Sequence, residues 1–456
     1  MTTSRQHPAV MLRYLGGFLF TLLAPLVPIL ISGRALPLAI ILQLALSSLV
    51  VVWGVLRWRR SLWGCHGSIS LRSGVLSRRE SVIPSAAIAC VELRRSPLFA
   101  LLGANRIMIR TPSRPDDDFL TITTPRKASG DAIRSIIPLG LSAQGVTDRP
   151  APREAAIFAA SGSNFASGLL ILIPVITGIS KLGIDTVDRL EEGAASLFPH
   201  APRIAAIAAA VPLVGWLAHF IHNCIVYAHF CAVRSGDTVI VRSGTISRRT
   251  VYIPHRYISA TDTRRTLLLL FLRRASCSVL VSGCGSVPLI SAAREAQLQS
   301  RLSSIITRPH GIRIEIAPDT ANRFYLYRTR LIFAVISALL LIRLSYGTSS
   351  ERFISIIFVP VTILLIWYTL IGIADSHRAK AVISGDSVEI TGSRLLTVHT
   401  CRIYRTAVAE VRIKQNPLQK QRGLCDLYIR CCGQKHGISC RYVSIERAER
   451  FALMLR

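Results

Sequence analysis

Six stretches of mostly apolar residues alternate along the chain with longer, more polar segments. A helix needs about 20 such residues to cross the hydrocarbon core of a bilayer, so each stretch is predicted to be a membrane span. The stretches come in pairs with short connections, which predicts three helical hairpins. These transmembrane hairpins are expected at residues 10–56, 165–230 and 325–373.

Lys and Arg near the ends of the spans predict their orientation, because short loops rich in these residues stay in the cytoplasm. Arg57, Arg59 and Arg60 follow the second span and Arg323 precedes the fifth, whereas the first hairpin turn carries only Arg34. Both termini and all three polar segments are therefore predicted to be cytoplasmic. The chain is expected to be a multi-pass protein of the cell membrane.

Each polar segment alternates apolar and polar residues around Ser-Gly turns, as in 239–253. This period of two predicts half-buried antiparallel strands. Each segment then ends on a helical pattern, such as 444–455, where the apolar residues share one face. The sequence therefore predicts three β-rich modules, each a small antiparallel sheet or barrel with a C-terminal helix: module 1 at 60–140, module 2 at 232–308 and module 3 at 379–456.

The three modules are copies of one another. Residues 71–79, LRSGVLSRR, match residues 241–249, VRSGTISRR, at an offset of 170 residues without a gap. Module 3 aligns with module 1 at an offset of 320, which pairs Pro97-Leu98 with Pro417-Leu418 and Gly103 with Gly423. A repeat of this length sets the architecture and indicates that each hairpin and its module form one duplicated unit.

This pattern resembles the bacterial pleckstrin-homology (PH) domain, of the kind found in YdbT-like membrane proteins. Module 1 carries Gly74, Arg78, Ile83-Pro84, Pro97-Leu98 and Gly103; module 2 has Arg273 in place of the last glycine. The resemblance implies a PH-like fold for each module. It also implies a non-enzymatic scaffolding or binding role, in envelope homeostasis or stress tolerance, since PH folds serve mainly as binding modules.

The chain is strongly basic, with a formal net charge of +30. In so hydrophobic a chain this charge suits an anionic membrane surface, so the expected partners are an anionic lipid bilayer and another membrane protein or a second copy of the chain, with no nucleic acid. The eleven cysteines lack the paired CxxC spacing of structural zinc sites. No metal and no cofactor is expected.

Paired arginines are the best candidates for a binding site, because each basic side chain near an anionic leaflet contributes about 1 kcal/mol. The alternatives are that they are only retention signals on solvated strand faces, or that they form a phosphoinositide-type pocket. The candidates are Arg78, Arg79, Arg94, Arg95, Arg248, Arg249, Arg264 and Arg265, with Arg273 and Arg274 as a further pair.

A second candidate is the polar cluster His219, His222 and Asn223 in the fourth predicted span. Polar groups inside a membrane suggest a metal or proton role, which makes a transporter or channel the alternative function. Interhelical hydrogen bonding explains the same residues. The sequence has no Walker A, GxSxG, HExxH or dinucleotide-binding motif, so an enzyme is not expected.

Overall fold

The chain divides into two compact units. The computed structural model describes residues 3–12, 37–65, 67–112, 119–137, 146–162, 196, 203–306, 313–318, 322–345, 349–394, 396–432 and 437–455. Unit 1 comprises Met1–Gly145, Arg234–Arg242 and Ile246–Tyr257. Unit 2 comprises Val146–Val233, Ser243–Thr245 and Ile258–Arg456.

The described residues form mainly antiparallel strands, with helices before and after each group of strands. The strands are β1 Thr3–Arg5, β2 Leu62–Cys65, β3 Ser68–Ser73, β4 Arg79–Pro84, β5 Cys90–Arg95, β6 Ala104–Arg110, β7 Phe119–Pro125, β8 Val146–Asp148, β9 Cys231–Ser235, β10 Thr238–Ser243, β11 Arg248–Pro254, β12 Ile258–Thr266, β13 Arg274–Val281, β14 Gly285–Arg294, β15 Arg313–Ile316, β16 Lys380–Ser384, β17 Ser387–Arg394, β18 Thr397–Tyr404, β19 Val408–Lys414, β20 Leu424–Cys431 and β21 Ile438–Ser444. The helices are α1 Pro37–Arg59, α2 Pro97–Leu101, α3 Ser129–Ile136, α4 Pro152–Gly162, α5 Arg203–Tyr227, α6 Leu267–Phe271, α7 Glu295–Ile305, α8 Arg323–Ser345, α9 Ser349–Arg378, α10 Pro417–Lys420 and α11 Ile445–Met454.

Unit 1 contains two antiparallel sheets and a closing helix. The first sheet has the order β1-β2-β3-β4, and the second runs β7-β6-β5-β11-β10. Ile69 of the first sheet, Ile107 and Ile122 of the second, and Ile133 of α3 belong to one buried core. The period of two in the sequence places these apolar side chains on the inner faces, as expected for half-buried strands.

Unit 2 contains a seven-stranded sheet, β14-β13-β12-β18-β17-β16-β15, and a three-stranded sheet, β19-β20-β21. Ile390 and Ile403 of the first sheet share a core with Ile429 of the second and with Phe451 of α11. Gly392 lets β17 approach β21 closely, because a Cβ there would lie 2.3 Å from the carbonyl oxygen of Ser439. Module 3 thus has the predicted sheets closed by a C-terminal helix.

Successive modules share their sheets, which the sequence did not predict. Strand β5 of module 1 pairs antiparallel with β11 of module 2, with Glu92 opposite Val251. Strand β12 of module 2 pairs in the same way with β18 of module 3, with Asp262 opposite Cys401. The offsets of 170 and 320 residues superimpose these two pairings, so their register is the same. The pairing of β5 with β11 is called junction 1, and that of β12 with β18 junction 2.

The predicted fold class of six membrane spans in three hairpins is wrong. Within the described residues, one helix, Arg323–Arg343, is long and apolar enough to cross a membrane, by length and composition only. Among the described residues, α5 also offers a shorter apolar stretch, Leu213–Tyr227. The predicted multi-pass topology loses its support with these spans.

The error has a physical cause. An apolar run indicates a helix that must bury its surface, but it does not distinguish lipid from protein as the cover. Helices α8 and α9 pack against each other, and the hydroxyls of Ser337 and Thr362 lie 2.7 Å apart between them. The first predicted span, at 10–31, lies almost entirely outside the described residues. The third, at 165–184, lies entirely outside them.

Candidate functional site

A buried carboxylate lies at junction 1. The side chain of Glu92 is 0% exposed, and its Oε1 accepts from Nε of Arg94 at 3.0 Å and from Nε of Arg249 at 2.8 Å. A guanidinium nitrogen of Arg110 lies 3.9 Å from Oε2. Burial alone would raise the pKa of Glu92, but the adjacent arginines outweigh it and the pKa is lowered. Glu92 therefore holds arginines of two modules together as a carboxylate.

Junction 2 has a carboxylate at the same repeat position, Asp262, also buried. Its Oδ2 accepts from Nε of Arg264 at 2.8 Å, and both carboxylate oxygens lie 3.1 Å from Nδ1 of His399. Burial again opposes ionisation of Asp262, but the hydrogen bond and charge of His399, together with Arg264, lower its pKa. His399 thus takes the place that Arg249 has in junction 1.

The structure brings four of the predicted arginines together. At junction 1, Arg94 lies opposite Arg249, and Arg95 lies opposite Arg248. The sequence analysis identified these side chains but missed Glu92, the acid between them. The available signal was the offset of 170 residues, which relates Glu92 to Asp262 within an otherwise basic segment.

The remaining predicted arginines lie elsewhere. Arg264 is opposite His399 at junction 2, and Nε of Arg265 donates to Glu295 at 2.6 Å. Arg78 and Arg79 are exposed at the start of β4, an edge strand that takes no part in junction 1. The predicted arginines therefore lie in different local settings.

The segment after β5, β12 or β19 is the same in all three modules: a single exposed helical turn. These segments are called tip 1 (96–103), tip 2 (266–273) and tip 3 (416–423), and their numbers differ by the repeat offsets. Large apolar side chains on them point into solvent: Leu98 and Leu101 in tip 1, Phe271 (86% exposed) in tip 2 and Leu418 in tip 3. The exposed positions are not identical, since Leu268 is half-buried where Leu98 and Leu418 are exposed, but exposed apolar groups on the same turn of each repeat indicate an interaction surface.

Local capping shapes the tips. Thr266 accepts from the backbone N–H of Leu269 at 3.5 Å, and Asn416 forms a capping box with Gln419. Each tip then ends in a left-handed backbone conformation, at Gly103 (φ 66°), Arg273 (φ 51°) and Gly423 (φ 63°). A glycine adopts this conformation without strain, whereas Arg273 does not.

Basic residues border the apolar tips. The backbone N–H of Arg126 donates to the carbonyl of Gly103 at 2.9 Å, so the exposed Arg126 and Lys127 lie beside tip 1. Tip 3 carries Lys420 and Arg422 itself. Apolar residues bordered by cations are the chemistry of segments that lie in the interface of an anionic membrane.

Tip 3 lies at the start of the helix that is long and apolar enough to span a membrane. The guanidinium of Arg422 is 4.4 Å from the ring centre of Tyr325, in the first turn of α8. The Tyr325 ring is also 5.9 Å from that of Tyr442 at the end of β21. Tyrosines are enriched where a spanning helix meets the lipid headgroups.

The polar cluster of the fourth predicted span is partly explained by helix packing. Nδ2 of Asn223 donates to the carbonyl of Ala159 at 3.2 Å, which joins α5 to α4, as the hydrogen-bonding alternative predicted. The rings of His219 and His222 are 6.1 Å apart, and His219 lines a cavity of about 690 Å³ together with Asn223. Within the described residues no group of three or more potential metal ligands occurs. Transport remains a prediction.

A larger cleft, of about 730 Å³, lies against β16 to β18 and contains both basic and acidic side chains. Oε1 of Glu295 lies 2.6 Å from Nε of Arg265 and 2.7 Å from Nη1 of Arg378. Nη2 of Arg402 similarly lies 2.6 Å from Glu389. Arg323 and Lys380 also line the cleft, so its five arginine and lysine side chains outnumber its three carboxylates.

The family model of the bacterial PH domain matches the chain three times, at residues 12–137, 169–305 and 331–456. The matches cover most of the chain, and each ends at or close to the last helix of one module. No curated protein matches the chain, and neither does any solved structure. The finer resemblance to YdbT-like proteins stays a prediction.

Proposed function

Because the chain belongs to the bacterial PH domain family and carries three copies of that domain, we propose that it is a non-enzymatic scaffold that docks on an anionic membrane surface through its tips. The observation that carries the proposal is the repetition of an exposed apolar turn in all three modules.

Rough magnitudes favour weak, reversible docking by a single tip. Burying a leucine side chain contributes about 1.5–3 kcal/mol, and Leu98 and Leu101 of tip 1 are both largely exposed. Arg126 and Lys127 add about 1 kcal/mol each near an anionic leaflet. The total of roughly 5–8 kcal/mol corresponds to a dissociation constant between about 0.2 mM and about 1 μM.

Helix α8 supports the same location. Its stretch Arg323–Arg343 meets the length and composition of a membrane-crossing helix, and Arg422 of tip 3 stacks on its first turn. Attachment by one such helix would keep the modules close to the leaflet, so that weak tips suffice. A role in envelope homeostasis, as the resemblance implies, would follow from which proteins the scaffold gathers there.

The test compares two leucines with almost equal exposure. Leu98 of tip 1 is 63% exposed and Leu453 of α11 is 64% exposed. In the full-length chain with Cys432→Ser, either Leu98→Cys or Leu453→Cys receives an environment-sensitive fluorophore. Phosphatidylglycerol vesicles should shift the emission to the blue at position 98 and leave position 453 unchanged. Equal responses at both positions, or none at position 98, would overturn the proposal.

Lipid charge provides a second readout. Replacing Arg126 and Lys127 with Gln should lower the apparent affinity for phosphatidylglycerol vesicles about fivefold per residue, since each contributes about 1 kcal/mol. Arg450→Gln, an exposed arginine of α11, is the control and should have little effect. An affinity that is as high for phosphatidylcholine as for phosphatidylglycerol would also contradict the proposal.

A further inference from the structure

Two edge strands stand out when the repeat copies are compared. Strand β4 lies at the edge of its sheet, whereas β11 and β18, at the same repeat position, are paired at junctions 1 and 2. Strand β19 is likewise an edge, whereas its equivalents β5 and β12 are paired. Among the described strands, the other edges are edges in each copy: β1, β8 and β15 alike, and β7, β14 and β21 alike.

We infer that β19 of one copy pairs antiparallel with β4 of a second copy, in the register of junctions 1 and 2. Glu92 opposite Val251 and Asp262 opposite Cys401 define that register. The repeat offsets convert it to Arg412 opposite Ser81 and Val411 opposite Val82. Such a contact is head-to-tail, and the addition of a strand to an open edge is a common mode of recognition.

The apolar surface of β4 fits this partner. Val82 is 55% exposed, and its equivalent in module 2, Tyr252, crosses junction 1 to pack against the core of module 1. Val411 and Ile413 of β19 are partly buried against the core of module 3. Val82 of a second copy would cover them in the way that Tyr252 covers the core of module 1.

Charge limits the strength of this contact. Arg412 occupies the repeat position that holds a buried carboxylate, Glu92 or Asp262, at the two junctions within the chain. Pairing would bring Arg412 close to Arg79 of the second copy, and Glu410, the nearby acid of β19, already pairs with Arg412. The contact is therefore weak at low salt and strengthens with ionic strength.

Engineered disulfides test the pairing directly. Full-length chains with Cys432→Ser carry either Val82→Cys or Val411→Cys and bear different tags. After mixing and mild oxidation, non-reducing gels should show a covalent dimer that contains both tags. Chains that carry both substitutions should form a ladder of higher multimers.

Two further variants fix the register and the charge. In the chain with Ser81→Cys and Val411→Cys, the cysteine of β4 is moved by one residue and lies on the other face of the strand. The ladder of multimers should therefore be much weaker. Arg412→Glu restores the carboxylate of the other junctions and should raise the yield of dimer several-fold. The inference fails if the double variant forms only a disulfide within one chain, if Ser81→Cys links equally well, or if no dimer forms even with Arg412→Glu.

The pairing of copies is independent of membrane docking, so each can be contradicted without the other. Cross-linking is measured in the absence of lipid, and the Arg126→Gln and Lys127→Gln changes should leave it unaltered. A chain that cross-links but does not respond to phosphatidylglycerol vesicles would retain the pairing of copies and lose the docking.

Discussion

Strand β5 with tip 1 and strand β12 with tip 2 are the same segment of the repeat, yet their charges and turns differ. Glu92 faces three arginines, whereas Asp262 faces Arg264 and His399. Tip 1 ends at a glycine, whereas tip 2 ends at Arg273 in the same left-handed conformation. The register of the backbone pairing is the same at both junctions, so it comes from the apolar pattern and the repeat. The cations around the buried carboxylate can differ between junctions as long as one of them contacts it.

The largest effect should come from Glu92→Gln. The change leaves arginines around a site without its carboxylate, and the removal of one partner of a buried ion pair costs about 3 kcal/mol. Urea unfolding should report this loss. Glu80→Gln is the control, because Glu80 pairs with Arg72 at a half-exposed surface site, where a pair contributes less than about 1 kcal/mol.

A smaller loss, about 2 kcal/mol, is expected for Asp262→Asn. Here the groups left behind are one half-exposed arginine, Arg264, and the imidazole of His399, in place of three arginines. Urea unfolding of both variants side by side tests the ranking. A loss for Asp262→Asn equal to that for Glu92→Gln would show that the cation at position 399 does not set the difference between the junctions.

Acid should weaken both junctions. The pKa values of Glu92 and Asp262 are lowered in the folded chain, so their stabilising effect is present above the unfolded pKa values of about 4 and is lost as the pH falls through the folded values. Stability measured by urea unfolding should therefore decrease below about pH 4. The decrease should be shallower in Glu92→Gln and in Asp262→Asn; equal slopes would contradict this assignment.

The smallest effect concerns the ends of the tips. Arg273→Gly should stabilise the chain by about 1 kcal/mol, because the left-handed conformation strains a residue with a Cβ. Gly103→Ala should cost a similar amount, and purely through the backbone, since nothing lies within 4 Å of the added Cβ. Thermal unfolding of the two variants measures both; a destabilising Arg273→Gly would mean that the arginine side chain contributes more than the strain.

Local pattern predicted much of each module. Alternation identified the strands, and the repeat placed the tips at 96–103 and 416–423, although the sequence indicated only a turn there. The arginine pairs were found because adjacent identical residues are conspicuous. Glu92 was missed because a single acid on a basic strand has no local signal of burial.

Strand sharing could not be predicted from the sequence. An alternating strand such as β11 satisfies its pattern against any neighbour, and nothing in residues 248–254 distinguishes β5 of the preceding module from a strand of its own. The membrane spans failed for a related reason. Hydropathy reports that a helix surface is apolar, but it does not distinguish a helix that lies in lipid from one that packs against protein.

Because neighbouring modules share a sheet, the segment that folds as one piece begins and ends about half a repeat away from the segment that was duplicated. A cut between 140 and 165, at the border between repeat units that the sequence suggests, would remove β10 and β11 from the sheet of β5, β6 and β7, and would expose Glu92 with Arg94 and Arg110. Gene fragments that encode one intact repeat should therefore yield insoluble protein, whereas fragments that begin and end within modules keep both sides of each junction. In evolutionary terms, adding or losing a repeat is tolerated only if the strand at the new border meets an equivalent partner.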